Sequence, residues 1–207
     1  MPKSTGFLVG EFLSHLTEAL EIAQAAEGSS SFLYTRRLYV YEAAYLLAFS
    51  AWENLLEQSF LRFLCGYIPS SGLAPTPTTT WLRPISVSAA TVLILGGRSF
   101  RLWHNPRDVI SRARGYFVSG PHETVLNSAL ADIEDFAAIR HYVAHRNDDT
   151  RQKFQTAAIR LSGSRVLGAR AGRLLRSETM DPVTMTKVTW LERICADLER
   201  YARQISS

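Results

Sequence analysis

No apolar run in this chain reaches the roughly 20 residues that a helix needs to cross a bilayer. Cysteine is almost missing. Cys65 and Cys195 both fall on apolar helix-like faces, which predicts buried free thiols in a reducing compartment rather than a disulfide. Neither has a His near it in sequence, so nothing points to a thiol nucleophile. A glycine-rich phosphate loop is also lacking, because Leu95-Gly96-Gly97-Arg98 is too short to be one. His141 and His145 have metal-compatible spacing, but no Cys or Glu pattern completes a zinc or di-metal site around them. The segment Met1-Pro2-Lys3-Ser4-Thr5-Gly6 lacks the charged start, apolar stretch and cleavage site of a secretory signal. These absences lead us to expect a cytoplasmic protein with no membrane segment, no cofactor and no metal.

What is present is helical periodicity. With 207 residues and 46% hydrophobic content, the chain can bury one substantial core, and we expect a single domain over 1–207. Phe7 to Ala26 reads as an amphipathic helix, ended by Gly28-Ser29-Ser30-Ser31. Thr35 to Tyr67 is the longest helical stretch, with no Pro and no Gly before Gly66. It is apolar on more than one face, which suits a central helix with a second face for a partner. Ile68 to Pro84 is rich in Pro, Thr, Ser and Gly and predicts a loop. Val87 to Leu95 is compatible with a short strand or a turn of helix. Asn105-Pro106 supplies an N-cap and a first-turn proline for a helix to about Phe117. A further helix is expected from Pro121 or His122 to about Arg146, and another from Arg151 to Leu161, capped by Asp148-Asp149-Thr150. Ser162-Gly163-Ser164, Gly168 and Gly172 mark a loosely ordered stretch. Asp181-Pro182 repeats the cap signal for a last helix over Val183 to Gln204. The expected fold is all-α, one bundle of about five to seven helices.

Charge is unevenly spread. Between Arg140 and Arg176 stand nine Arg and Lys against two Asp, a local +7 in a chain of formal charge +4, so the remainder carries −3. Arginine offers both charge and a planar hydrogen-bonding fork, so this segment fits a polyanion such as RNA. Arg151, Lys153, Arg160, Arg165, Arg170 and Arg173 are the residues expected to guide it. The alternative is a solvated basic loop.

The segment opens on Phe136-Ala137-Ala138-Ile139-Arg140-His141-Tyr142-Val143-Ala144-His145-Arg146-Asn147. Two Arg and two His crowd the polar end of an otherwise apolar helix there. His141 and His145 are four apart and share a face. Arg140 and His145 are about 140° apart on an ideal helix and reach one cleft if the helix frays near Arg146-Asn147-Asp148. Read structurally, an i,i+4 His pair at a helix C-terminus is a favourable partner for the helix dipole and no more.

Arg140, followed by the polar His141 and closed by His145, resembles the Arg-x4-His signature of the HEPN superfamily. Ser50-Ala51-Trp52-Glu53-Asn54-Leu55 is similar to the early helix of some prokaryotic HEPN groups. The likeness extends over Tyr34 to Gln204 as a pattern of helices, with only Arg140 to Asn147 specific. It implies a small helical domain that dimerises and cuts RNA without a metal, two copies of the motif meeting across the dimer cleft. It further implies a toxin or anti-phage effector with an antitoxin or defence-system partner.

The chemistry suits those residue types. The ribose 2′-hydroxyl must lose a proton as it attacks phosphorus, the departing 5′-oxygen must gain one, and the crowded phosphate must meet fixed positive charge. Imidazole serves the proton steps because it titrates near neutrality. Arginine serves the charge because it stays protonated. His145 is then the acid/base candidate, Arg140 the phosphate clamp, and His141 an orienting or sharing residue. Arg146, Asn147, Arg151 and Lys153 are candidates for substrate contact. Glu42 or Glu53 is placed to pair with Arg140, Glu53 as a possible auxiliary. The competing reading is a non-catalytic helical module that binds RNA, nucleotide or a partner protein, with Arg140 and His145 structural.

Overall fold

Helix-forming periodicity is realised along most of the chain. In the computed structural model, residues 4–70, 72, 74–78 and 83–206 are described. Among these, nine α-helices run in order: α1 (Gly6–Gly28), α2 (Tyr34–Leu64), α3 (Val87–Leu95), α4 (Pro106–Tyr116), α5 (Pro121–Ser128), α6 (Leu130–Ala144), α7 (Asp148–Ser162), α8 (Ala171–Arg176) and α9 (Trp190–Ser206). Two short antiparallel pairs join them: β1 (Thr76–Pro77) with β2 (Phe117–Ser119), and β3 (Glu178–Met180) with β4 (Lys187–Thr189). The fold is all-α. No described helix is long and apolar enough to cross a membrane.

Local chemistry explains where several elements begin. Ser86 accepts a hydrogen bond from the Ala89 amide at 3.1 Å, and Gly96 closes the last turn in the left-handed region. These two brackets make Val87–Leu95 a helix rather than a strand. Asn105 caps α4 through the Arg107 amide at 3.1 Å with Pro106 in the first turn, as its sequence predicts. The helix expected from Pro121 through Arg146 is instead two, broken at Ala129 (φ −103°, ψ 13°).

The last helix starts later than Asp181-Pro182 suggests. Asp181 does accept from the Val183 amide at 2.8 Å, but the turn it caps is the tip of the β3–β4 hairpin. Met185, at φ 54°, reverses the chain there. Helix α9 begins instead behind a reciprocal box, in which the Thr189 amide donates to Glu192 at 2.6 Å and the Glu192 amide to the Thr189 hydroxyl at 3.2 Å. Of the predicted loop Ile68 to Pro84, residues 71, 73 and 79–82 lie outside the described ones, as do residues 1–3.

The chain forms two compact units. Unit 1 takes Met1–Phe12, Trp52–Leu130 and Arg200–Ser207. Its centre is Phe60, whose ring meets Trp103 at 5.5 Å, Phe117 at 5.3 Å and His122 at 5.3 Å, all edge-on. Unit 2 takes Leu13–Ala51 and Ala131–Glu199. Here the Tyr45 hydroxyl of α2 donates to the Phe136 carbonyl of α6 at 2.6 Å, and Tyr142 stacks on Phe154 of α7 at 4.8 Å.

Most apolar residues of helix α2 are buried, while Val40, Leu46 and Leu47 are half-buried and, among the described residues, Tyr34 and Tyr39 are its exposed large apolar side chains. Both cysteines are free, Cys65 half-buried and Cys195 buried, with burial pushing the Cys195 thiol up to about 12.

His122 sets a pH limit on unit 1. Its Nε2 lies 3.1 Å from the Leu56 carbonyl and 2.9 Å from the Ser59 hydroxyl, and burial holds its pKa down at about 4. The unfolded chain protonates this residue near pH 6.5, the folded chain only near pH 4. The stability it confers is complete above pH 6.5 and is lost as pH falls toward 4, about 3 kcal/mol in all. Urea unfolding across that window should show this decline, and His122→Gln, which keeps a donor but cannot titrate, should flatten it.

Candidate functional site

The motif lies where α6 gives way to α7. Helix α6 ends at Ala144, the His145 amide closing its last turn on the His141 carbonyl at 2.8 Å. Asn147 then caps α7, accepting from the Thr150 amide at 2.9 Å while its own amide donates to the Thr150 hydroxyl at 3.2 Å. The His145 carbonyl receives the Asn147 amide at 2.8 Å and the Thr150 hydroxyl as well. The backbone of His145 is therefore clamped from both sides while its side chain is exposed. Arg140 and His141, in the last turns of α6, are half-buried.

The imidazole of His141 reports on its surroundings. Its pKa is lowered, first by burial and then by the positive fields of Arg140, His145 and Lys153, with Asp149 opposing. Lys153 and Asp149 come from α7, where they pair with each other at 2.8 Å. The tertiary fold thus groups Arg140, His141, His145, Lys153 and Asp149. At neutral pH His141 is an uncharged base beside fixed cations.

Other predicted contacts have different work. Arg146 turns to Glu42, a carboxylate only 5% exposed, and its guanidinium lies 5.4 Å from the Tyr39 ring. Glu42 also accepts the Gly172 amide at 3.1 Å, so it is committed to Arg146 and the α8 backbone. Asn147 is a capping residue, both its side chain and its amide closing the α7 box. Arg151 pairs with Asp148 at 2.9 Å on the surface of α7. Glu53 belongs to unit 1, where it faces His104 Nδ1 at 3.9 Å.

The basic segment is folded rather than loose. Arg160 grips the buried Asp135 through Nε at 2.8 and 3.0 Å, and Arg176 meets Glu27 at 3.0 Å. Glu27, Glu42 and Asp135 all come from outside the segment, so its excess charge in sequence is partly cancelled in space. Segment 162–180, whose glycines suggested loose order, holds a 3-10 turn at Leu167–Ala169 and helix α8. Arg170 is a second cation on Tyr39, its guanidinium 4.9 Å from the ring, and both arginines pull the Tyr39 hydroxyl below its usual pKa, Arg170 more strongly. No sequence signal links Tyr39 to these two, since more than a hundred residues separate them.

A cavity of about 880 Å³ lies in unit 2 between α7 and residues 165–169. Tyr142, Asp148, Arg151, Gln155 and Arg165 are among its walls. Arg151 is the one predicted contact residue lining it; Arg140, His141 and His145 do not.

Two substitutions separate structural from substrate roles. Arg146→Ala should lower stability by about 1–3 kcal/mol, because it strands the buried Glu42 charge, whereas Arg151→Ala at a solvated pair should cost under about 1 kcal/mol. Gly172→Ala should be at least as damaging, since a Cβ there would sit 2.0 Å from the Leu38 carbonyl oxygen. Thermal or denaturant melts of the three variants check this order. Compared with protein-family models, with curated proteins and with solved structures, this chain finds no match.

Proposed function

We propose that this chain is a metal-independent endoribonuclease of HEPN type. The observation that carries the reading is the grouping of Arg140, His141 and His145 at the end of α6, where burial first and then Arg140 and His145 lower the His141 pKa, with the His145 side chain exposed on a clamped backbone. In this reading Arg140 holds the phosphate in its fork as charge builds on the oxygens. His145 exchanges the proton, and His141, kept uncharged, orients it or accepts a proton in turn. The ribose 2′-hydroxyl attacks phosphorus, giving a cyclic phosphate and a free 5′-hydroxyl.

Within one chain the three motif residues line neither the larger cavity nor the one in unit 1. That favours a site completed by a second copy, each protomer supplying one motif in a two-fold dimer. Light scattering should give the dimer mass at micromolar protein, and a monomer would count against the composite site. A toxin or anti-phage role, with an antitoxin or defence protein as partner, extends the same reading.

A second reading has an observation of its own. Arg146 and Asn147 are spent on structure, as a non-catalytic module would have them. Such a module would hold an anionic partner at the cavity of Arg151 and Arg165.

The decisive assay compares wild type with His145→Ala on single-stranded RNA in EDTA. We expect cleavage by the wild type and a loss of about 10²–10⁴-fold in the variant, with an unchanged melt because the side chain is exposed. Arg140→Ala should be as severe, and Arg140→Lys should restore little, a point charge being no substitute for the fork. Equal cleavage by wild type and His145→Ala would remove the assignment. RNA affinity should fall steeply with salt. Neutralising Arg165 together with Arg151, whose partner Asp148 is fully solvated, should weaken it more than neutralising Arg160 and Arg176, which are held by the less exposed Asp135 and Glu27.

A further inference from the structure

Unit 1 carries a second basic feature, one that does not depend on the motif. A cleft of about 690 Å³ opens between the end of α3, residues 98–102 and the outer face of α4. That volume is within the range of small-molecule sites, roughly 300–1,000 Å³. Arg98, Arg101 and Arg112 line it, against the single carboxylate of Asp108.

The three arginines are held in different ways. Arg112 is fixed over the Trp103 ring at 4.3 Å and donates to the Leu102 carbonyl at 3.3 Å. Arg101 donates through Nε to the Ile94 carbonyl at 2.9 Å, which anchors its stem at the end of α3 and leaves its terminal nitrogens for another acceptor. Arg98 is exposed and has no partner among the described residues. Burial, and then the field of Arg101, make it harder for Arg112 to hold its charge, and Asp108, Glu57 and Tyr116 offset this only in part. An anion seated between Arg101 and Arg112 would relieve their repulsion.

The cleft is not wholly polar. Phe100, 67% exposed, and Leu102, 45% exposed, stand on its rim beside the arginines. An exposed aromatic ring next to converging guanidinium groups is the combination that receives a planar base together with its phosphate. We propose that this cleft binds a nucleoside phosphate, with Arg98, Arg101 and Arg112 on the phosphate and Phe100 against the base. The same chemistry is offered by a free mononucleotide and by the phosphorylated end of a strand.

Calorimetry on the full chain with adenosine 5′-monophosphate, adenosine and inorganic phosphate tests this. The monophosphate should bind at least about tenfold more tightly than adenosine, as expected when charged hydrogen bonds carry the affinity. Arg98→Ala should weaken it by about tenfold without changing the melt, and Arg101→Gln should do the same. Phe100→Ala should weaken the monophosphate by about tenfold while leaving inorganic phosphate unaffected. A 5′-phosphorylated DNA oligonucleotide, compared with its 5′-hydroxyl form, separates the two sources. Tighter binding than the monophosphate, and only when phosphorylated, assigns a strand end; weaker binding assigns the free nucleotide. The inference is overturned if adenosine and its monophosphate bind alike, if neither binds, or if the arginine variants match wild type. It is overturned equally if inorganic phosphate binds as tightly as the monophosphate and Phe100→Ala changes nothing.

Discussion

Unit 2 depends on one buried carboxylate. Glu42, in the middle of an otherwise apolar stretch of α2, would be costly to bury without partners that answer both oxygens. One oxygen meets Arg146 at the start of the α6–α7 junction, the other the amide of Gly172 in α8. That second bond requires α8 to approach the α2 backbone so closely that only a residue without a Cβ fits. Three segments far apart in sequence are thereby fixed to a single side chain.

The candidate site inherits its geometry from this constraint. Arg146 pulls the chain just after His145 toward Glu42, and the Asn147–Thr150 box starts the next helix at once. Between them His145 has no freedom of backbone, though its imidazole faces outward. A histidine that exchanges protons gains from this arrangement, because placement is settled before a substrate arrives. The residues one and two positions after His145 hold this backbone in place through Glu42 and the α7 cap.

Charge follows the same logic. The excess of arginine after residue 140 suggests an open cationic surface when counted along the chain. In space, Asp135, Glu42 and Glu27 draw Arg160, Arg146 and Arg176 into ion pairs, each carboxylate arriving from an earlier helix. Among the described residues, Arg165 at the cavity of unit 2 and Arg98 at the cleft of unit 1 are side chains without such an ion pair. Local counting marks a basic protein; only pairing shows where the free charge lies.

The all-α character was legible because periodicity and capping act within a few residues: Asn105-Pro106 starts α4, and the Arg140–His145 cluster sits at a helix end. The start of α9 was not, because Asp181-Pro182 carries a cap signal that serves a hairpin, made by the non-local pairing of Glu178–Met180 with Lys187–Thr189, and the helix begins behind it. The break at Ala129 is not marked by its residue type, since alanine is a good helix former. Hence the sequence by itself determined the all-α class, most of the long helices and where the histidines and arginines cluster, since those rest on interactions between near neighbours. Tertiary structure decided that Arg146 pairs with Glu42, that Arg140, His141 and His145 share surroundings with Lys153 and Asp149, and that most of the apolar surface of α2 is buried in the core. Each of those depends on contacts between distant residues, whose geometry no local pattern encodes.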